Sequence, residues 1–366
     1  MSLRRKPLLT TTVAFSTIPV VAALGLATAG AAQAQASCTA DVGGTGLSAA
    51  VVAHAHQQIS RKVVDATGCD IGIYVGAGAK HVSIRSTRVT GANFQGIFAE
   101  KTKYLTISHS TVTGNAFNTI DPSAPALPGS GVHSWVAQAF AISLFGVSHA
   151  TVWANKVHDN GRGGIGVMDN GPFDPGAKMQ NQNPNARLVG SSYVSIVGNT
   201  TRANYNGCGI VAATQNVGGH LTRLSIRHNR IAGTGIGAAG PDIGGIVVAA
   251  DLPGSKTTHV NVNGNTVRNS FEAGLIVNAE APGSWTAAVH LYNNRVSGNN
   301  VGHLEAPDTA GVVTFAAPGA ANRGTMIWGN DISRQFYGIW SRGDFPPKVF
   351  HNDIDVTPGG TRISLG

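Results

Sequence analysis

Charge is scarce in this 366-residue chain, with only 12% of residues Asp, Glu, Lys or Arg, about half of what a globular chain ordinarily carries. A helix-rich or coiled-coil protein, whose exposed faces need dense charge, is thereby excluded. Aromatic residues make up 6%, and there are three cysteines and four methionines, so a disulfide-dense scaffold is excluded too. The net charge of +8 is spread out. No block of like charge and no basic stripe interleaved with aromatics occurs, which argues against a nucleic-acid partner. What the chain has in quantity is glycine, 48 residues, together with 16 prolines and 42% hydrophobic residues. That is too apolar for a disordered chain and suits strands and turns. The length can bury a substantial core in one elongated domain or two compact ones.

Residues 1–36 have the organisation of a secretory signal. Arg4, Arg5 and Lys6 precede an apolar run from Val13 to Ala32, and Ala34-Gln35-Ala36 supplies the small-x-small pattern of a cleavage site, so cleavage is expected after Ala36. Pro19 and Gly25 interrupt the run, and Ala, Thr and Gly stand where a spanning helix would carry Leu and Ile. No later stretch approaches a membrane span, so the mature chain is expected to be secreted, extracellular and monomeric. Loss of the three basic residues leaves 23 Lys plus Arg against 18 Asp plus Glu, a mild basicity compatible with an acidic polysaccharide. In an oxidising compartment Cys38 and Cys69 are expected to pair and close the N-terminal segment onto the first repeat, leaving Cys208 as a buried, inert thiol. Residues 37–62 read as an N-terminal cap, with a short amphipathic helix over Val51–Val63 carrying His54 and His56.

Internal repetition is the strongest signal. Val82-Ser-Ile-Arg-Ser-Thr-Arg-Val-Thr-Gly91 aligns with Leu224-Ser-Ile-Arg-His-Asn-Arg-Ile-Ala-Gly233, and the same frame places a small polar residue at Thr87, Ser110, Asn155, Asn199, Asn229, Asn265, Asn294, Asn330 and Asn352. An apolar residue stands three positions before each, and another two positions after in every case but Thr201. This is a strand, a sharp corner and a second strand. Between corners a Gly-led apolar strand recurs, as in Gly72-Ile73-Tyr74-Val75, Gly164-Ile165-Gly166-Val167 and Gly274-Leu275-Ile276-Val277. A unit of three short strands cannot bury its own apolar face, so it must stack on copies of itself, with corner asparagines bonded along the stack. From about Val63 to Ile354 the chain resembles the right-handed parallel β-helix repeat proteins of the pectate lyase-like superfamily. The resemblance implies an all-β solenoid of about nine to ten coils over residues 63–366, with a corner ladder of Asn, Ser and Thr.

Intervals between corner residues are 23, 45, 44, 30, 36, 29, 36 and 22. A minimal coil therefore takes 22 or 23 residues, and the surplus in the middle coils must leave the stack as loops, where function is usually placed. The loops are expected to wall both edges of the face built by the Gly-led strands. Its outward positions are Tyr74, Phe98, Ser143, Gly166, Val211, Val247, Ile276, Val313 and Trp340, a largely apolar floor on which the loops either fold down or leave a ligand groove. On the downstream edge Asp169, Asp251 and Glu280 follow their strands, with Asp251 and Glu280 at the same position in adjacent coils, about 4.8 Å apart. Two carboxylates held so close are expected to leave one acid beside one base, an arrangement suited to glycosidic-bond chemistry or to a cation such as calcium. On the upstream edge Arg162, Asp242, Glu272 and Asp308 would face them, Arg162 as a clamp for a substrate carboxylate. Asp174-Pro175 is similar to part of the Tyr-Gly-x-Asp-Pro-His motif of alginate C5-epimerases, although Gly171-Pro172 and Gly176 replace the flanking residues. Neither the Asn-Thr-Asp nor the Gly-His-Gly pattern of polygalacturonases is present. Trp135, Trp285 and Trp340 are candidates for stacking on sugar rings.

These observations predict Asp251, Glu280, Asp169 and Arg162 as catalytic residues and Asp242, Glu272, Asp308, Asp174, Trp340 and Trp285 as substrate-binding residues. The function expected is that of a carbohydrate-active enzyme, a lyase, epimerase or glycoside hydrolase on a polysaccharide. The alternative is a non-catalytic, extracellular glycan-binding or adhesive protein using the same face.

Overall fold

A computed structural model of the protein describes residues 37–117, 139–178, 181–235, 243–301 and 309–366. Residues 1–36, where an export signal is expected, lie outside them, as do Asp242, Asp308 and Trp135. The described chain is a right-handed parallel β-helix. Each full coil contributes a strand to each of three faces. The floor face starts at Ala49–Ala53 and continues through Ile71–Val75, Gln95–Glu100, Phe140–Phe145, Gly163–Met168, Ile210–Thr214, Ile246–Ala250, Leu275–Ala279 and Val312–Ala316. A back face begins with Gln58–Ser60 and Ser83–Arg85 and widens to eight-residue strands such as His220–Arg227 and Lys256–Asn263. A short face is built from three-residue strands such as Lys156–His158, Thr200–Arg202 and Arg230–Ala232. All pairings between successive coils are parallel, as in Ile210↔Ile246↔Leu275↔Val312. Inward side chains from the three faces, among them Ile84, Ile107, Ile165, Val248, Leu275 and Ile339, form one continuous core along the axis.

The corner ladder has the form expected of it. The Ser110 amide donates to Asn155 Oδ1 at 2.9 Å, the Asn155 amide to Asn199 at 3.0 Å, and the Asn199 amide to Asn229 at 2.9 Å. The series continues to Asn352. Each amide nitrogen is also used: Asn229 Nδ2 donates to Asn265 Oδ1 and to the Ile196 carbonyl, both at 3.0 Å. The preceding residue is left-handed, as at Gly198 (φ 63°) and His228 (φ 56°), which turns the chain sharply enough to bring the corner side chain inside. A second ladder follows the short face, where the Asn115 amide donates to Asn160 Oδ1 at 3.1 Å and Asn160 Nδ2 donates to Asn204 Oδ1 at 3.0 Å. On the outside of the back face, rings stack from coil to coil: His56 on His81 (5.0 Å), His81 on Tyr104 (4.6 Å), Tyr104 against His149 (5.1 Å) and His149 on Tyr193 (4.7 Å). Arg223 lies 4.9 Å from the Tyr193 centroid.

The N-terminal helix expected over Val51–Val63 is absent. Those residues supply strands of the first coil, with Ala49–Ala53 pairing in parallel with Ile71–Val75. The exposed hydrogen-bonding edge of the next coil and the β-branched Val51-Val52 pair outweigh the helical spacing of apolar residues. The segment before Ala49 packs on the floor face, where Val42 and Leu47 join the cluster around Tyr74 and Phe98, and the Cys38–Cys69 disulfide holds it there. Cys208 is buried.

Candidate functional site

The floor row forms in the expected register. Tyr74, Phe98, Ser143, Gly166, Val211, Val247, Ile276, Val313 and Trp340 are successive partners in adjacent coils. It is not an open groove. Phe98 and Ser143 are inaccessible to solvent and Tyr74, Ile276 and Val313 nearly so, because a second apolar cluster with Phe94, Phe140, Phe145 and Met168 covers the face. A Cβ at Gly176 would collide with the Phe98 ring, so the turn after Asp174 packs directly against that ring. Of the two outcomes the sequence leaves open, the described coils show loops folded down onto the apolar strip.

Polar chemistry is concentrated on the downstream edge. Glu100 ends the strand Gln95–Glu100 and is 2% exposed. The Tyr74 hydroxyl donates to Glu100 Oε1, Asn170 Nδ2 donates to Oε2 at 3.2 Å, and Lys101 Nζ stands 3.7 Å from Oε2. Burial, reinforced by the nearby Asp174 carboxylate, pushes the Glu100 carboxyl up to about 7, and the tyrosine bond only partly opposes this. Burial also raises the Tyr74 phenol, with the Glu100 charge adding to it. Gly43 crosses over the pair so closely that any side chain there would meet the Tyr74 hydroxyl and Glu100 Oε1. A pocket of about 430 Å³, lined by Val52, His54, Tyr74, Ala77, Glu100 and Lys101 among others, opens beside them.

Farther along the edge, Asp169 is fully buried and its carboxyl is raised by burial to about 6. The Gln215 amide donates to its Oδ1 at 2.5 Å, and Gln215 Nε2 donates to Asp251 Oδ2 at 2.9 Å. One glutamine thus bridges two of the predicted catalytic carboxylates. The pairing Ala250↔Ala279 sets Asp251 and Glu280 at equivalent positions in adjacent coils. Asp251 Oδ2 accepts from Gln215, and Glu280 Oε1 accepts from Asn278 Nδ2 at 3.1 Å.

The other sequence-predicted residues are dispersed. Half-buried Arg162, its guanidinium pKa lowered by burial, precedes the strand Gly163–Met168 that Asp169 follows. Seven residues of extended chain put the two backbones about 23 Å apart, so Arg162 does not share a centre with the downstream carboxylates. Glu272 is buried on that same upstream edge, and its Oε2 accepts the Ile243 amide at 3.0 Å. Asp174 is buried, its Oδ1 holds the Gly176 amide at 2.9 Å, and it adjoins Glu100. Trp340 continues the floor row and stacks on Phe315 at 6.5 Å, beside a hollow of about 500 Å³ lined by Phe315, Pro318 and Arg342. Trp285 begins a strand of the back face rather than the floor, and Arg323 lies 5.9 Å from its ring. Among the described residues no cluster of three or more His, Cys, Asp or Glu is arranged to hold a metal ion, and no helix is long and apolar enough to cross a membrane.

Fold and edge together define a parallel β-helix protein with buried acids along one rim of its floor. The chain belongs to the family described as right handed beta helix region, which matches residues 49–251. Among solved structures it is similar to the Agl-KA catalytic domain (14% identity, TM-score 0.51), covering 84% of this chain and 49% of that one. It is also similar to PfbA, a surface adhesin of Streptococcus pneumoniae (11% identity, TM-score 0.50, 87% and 84% covered). A third is the A-module of the mannuronan C-5 epimerase AlgE6 from Azotobacter vinelandii (14% identity, TM-score 0.48, 81% and 67% covered). The chain thus spans about half the length of the Agl-KA domain. No match was found among curated protein sequences. At these identities the likeness is one of fold.

Proposed function

We propose that the protein is a secreted, carbohydrate-active β-helix protein that acts on a polysaccharide by proton transfer, as a lyase, epimerase or hydrolase, at the downstream edge of the floor. The carrying observation is Glu100. A carboxyl with a pKa near 7 is half protonated at neutral pH and can both give and take a proton, and this one adjoins a pocket with a tyrosine and a lysine at hand. Tyr74 orients the carboxyl, and Lys101 offers a charge to a substrate carboxylate. Asp169, raised to about 6, and the neighbouring Asp251 and Glu280 extend the edge along which a glycan chain would lie. The fold is shared by an enzyme domain and an adhesin, so it does not choose between catalysis and binding. A non-catalytic, glycan-binding role is the second reading, and the buried floor favours it.

The test is incubation with a panel of neutral and acidic polysaccharides, following new reducing ends, ultraviolet absorbance of unsaturated uronates, and proton NMR for epimerised sugars. Activity that Glu100→Gln abolishes without lowering the melting temperature supports the assignment. Activity surviving in Glu100→Gln but lost in Asp251→Asn with Glu280→Gln would move the centre to the middle coils. Silence on every substrate favours the binding protein.

A further inference from the structure

Basic residues that lie far apart in the sequence are brought into one file by the short face. In each of its three-residue strands the central side chain points into the core, while the first and third point outward, as the alternating burial of Thr200–Arg202 and Arg230–Ala232 shows. Parallel pairing lines up the first positions as Lys156, Thr200, Arg230, Thr266 and Arg295, and the third positions as His158, Arg202, Ala232, Arg268 and Ser297. Five successive coils therefore each present one Lys or Arg, and the side alternates at every step: Lys156, Arg202, Arg230, Arg268, Arg295. All five are exposed. Small residues occupy the opposite position in the last four of these coils. Among the described residues, only Arg295 of the five has a carboxylate partner, Asp331 at 2.9 Å.

The coil spacing of about 4.8 Å makes this zigzag about 19 Å long, with the two rows about 7 Å apart and neighbouring charges about 8 Å apart. Charges at that distance lie within a Debye length of one another at physiological salt, so their fields add along the file.

We propose that the short face binds a linear acidic polysaccharide, lying along the helix axis with about one uronate-type sugar per coil and its carboxylates reaching alternately to the two rows. Successive sugars in a near-twofold chain turn their carboxylates to opposite sides, as the cations here alternate. A guanidinium takes a carboxylate through two parallel hydrogen bonds, and Thr200, Thr266 and Ser297 offer hydroxyls between the charges. Duplex DNA, with one charge per about 1.7 Å of axis, is far denser in charge than this file. Single strands are gripped by aromatic faces, and neither row contains Phe, Tyr or Trp. The site is separate from the acid edge and does not depend on its being catalytic.

The experiment is titration of the whole protein with polygalacturonate by calorimetry at low and at physiological salt. The triple variant Arg202→Ala, Arg230→Ala, Arg268→Ala should bind about tenfold more weakly or worse, since each exposed ion pair contributes up to about fivefold, and its binding should depend less on salt. Replacing the same three arginines by lysine keeps the charge and should lose part of that affinity. A control of equal charge, Arg61→Ala, Arg85→Ala, Arg362→Ala, should bind within about twofold of the unmodified protein. Equal weakening of stripe and control variants would overturn the proposal, as would unchanged binding in the stripe variant or tighter binding of DNA than of polygalacturonate at the same salt.

Discussion

Glu100→Gln tests the energetics of the acid edge independently of any substrate. In the folded protein the Glu100 carboxyl titrates near 7 against an ordinary 4.5, so the folded state holds its proton more tightly than the unfolded chain does. The stability associated with that proton is fully present below about pH 4.5 and is lost as pH rises through 7. At 1.36 kcal/mol per pKa unit the loss is about 3 kcal/mol. Glutamine keeps the size of the side chain, can accept from Tyr74, and does not ionise. The difference in unfolding free energy between the two proteins should therefore move by about 3 kcal/mol in favour of Glu100→Gln between pH 4.5 and 8. Urea denaturation at half-unit pH steps measures this, and subtraction removes the contribution of every other titrating group. Parallel curves for the two proteins would refute the claim that Glu100 is buried and titrates near neutral pH.

Tyr74→Phe removes the hydrogen bond that favours ionised Glu100, so the pH at which stability falls should shift upward. A downward shift would show that burial of Glu100 depends on the tyrosine. Asn229→Ala deletes the acceptor for two donors of Asn199 and the donor to Ile196, and should cost about 3 kcal/mol in denaturant unfolding. Asn229→Ser should cost less, since the Ser110 hydroxyl already accepts the Thr87 amide at the equivalent position of the ladder, and equal losses would mean the ladder contributes only packing. Opening the Cys38–Cys69 disulfide, which spans 31 residues, should remove up to about 4 kcal/mol. Limited proteolysis of the reduced protein should cut first before Ala49, and initial cuts in the middle coils would contradict that placement.

What repeats with the coil period was legible in the sequence. The corner residues, the floor row and its register follow from counting, because a parallel stack puts equivalent positions on top of one another. The second ladder carried the same kind of signal, an Asn five residues after Ser110, Asn155 and Asn199, but its Thr and Ser substitutions in later coils hide it. Glu100 carries no signal in the sequence for a different reason. It lies in a coil of minimal length, the interval from Thr87 to Ser110 being 23 residues, where no surplus marks a functional loop. Its burial comes from contacts with Asn170, 70 residues later, and with the turn around Asp174, and no local pattern reports that. For Arg162 and Glu272, counting gives the edge each residue occupies but not the width of the strand that separates that edge from the downstream carboxylates.

The basic file shows the same limit from the other side. Its five cations are separated by 46, 28, 38 and 27 residues along the chain, which reads as scatter, and no sliding window would join them. Each separation is one coil plus whatever loop that coil carries, so the irregular numbers become a regular spacing once the loops leave the stack. Loop length and surface pattern are thus independent variables in this fold. Insertions can accumulate on the floor side and reshape the acid edge while the short face keeps one cation per coil. A chain built this way can hold a polymer on one face and vary its chemistry on another, and the paired Arg and Glu100 variants above separate those two capacities.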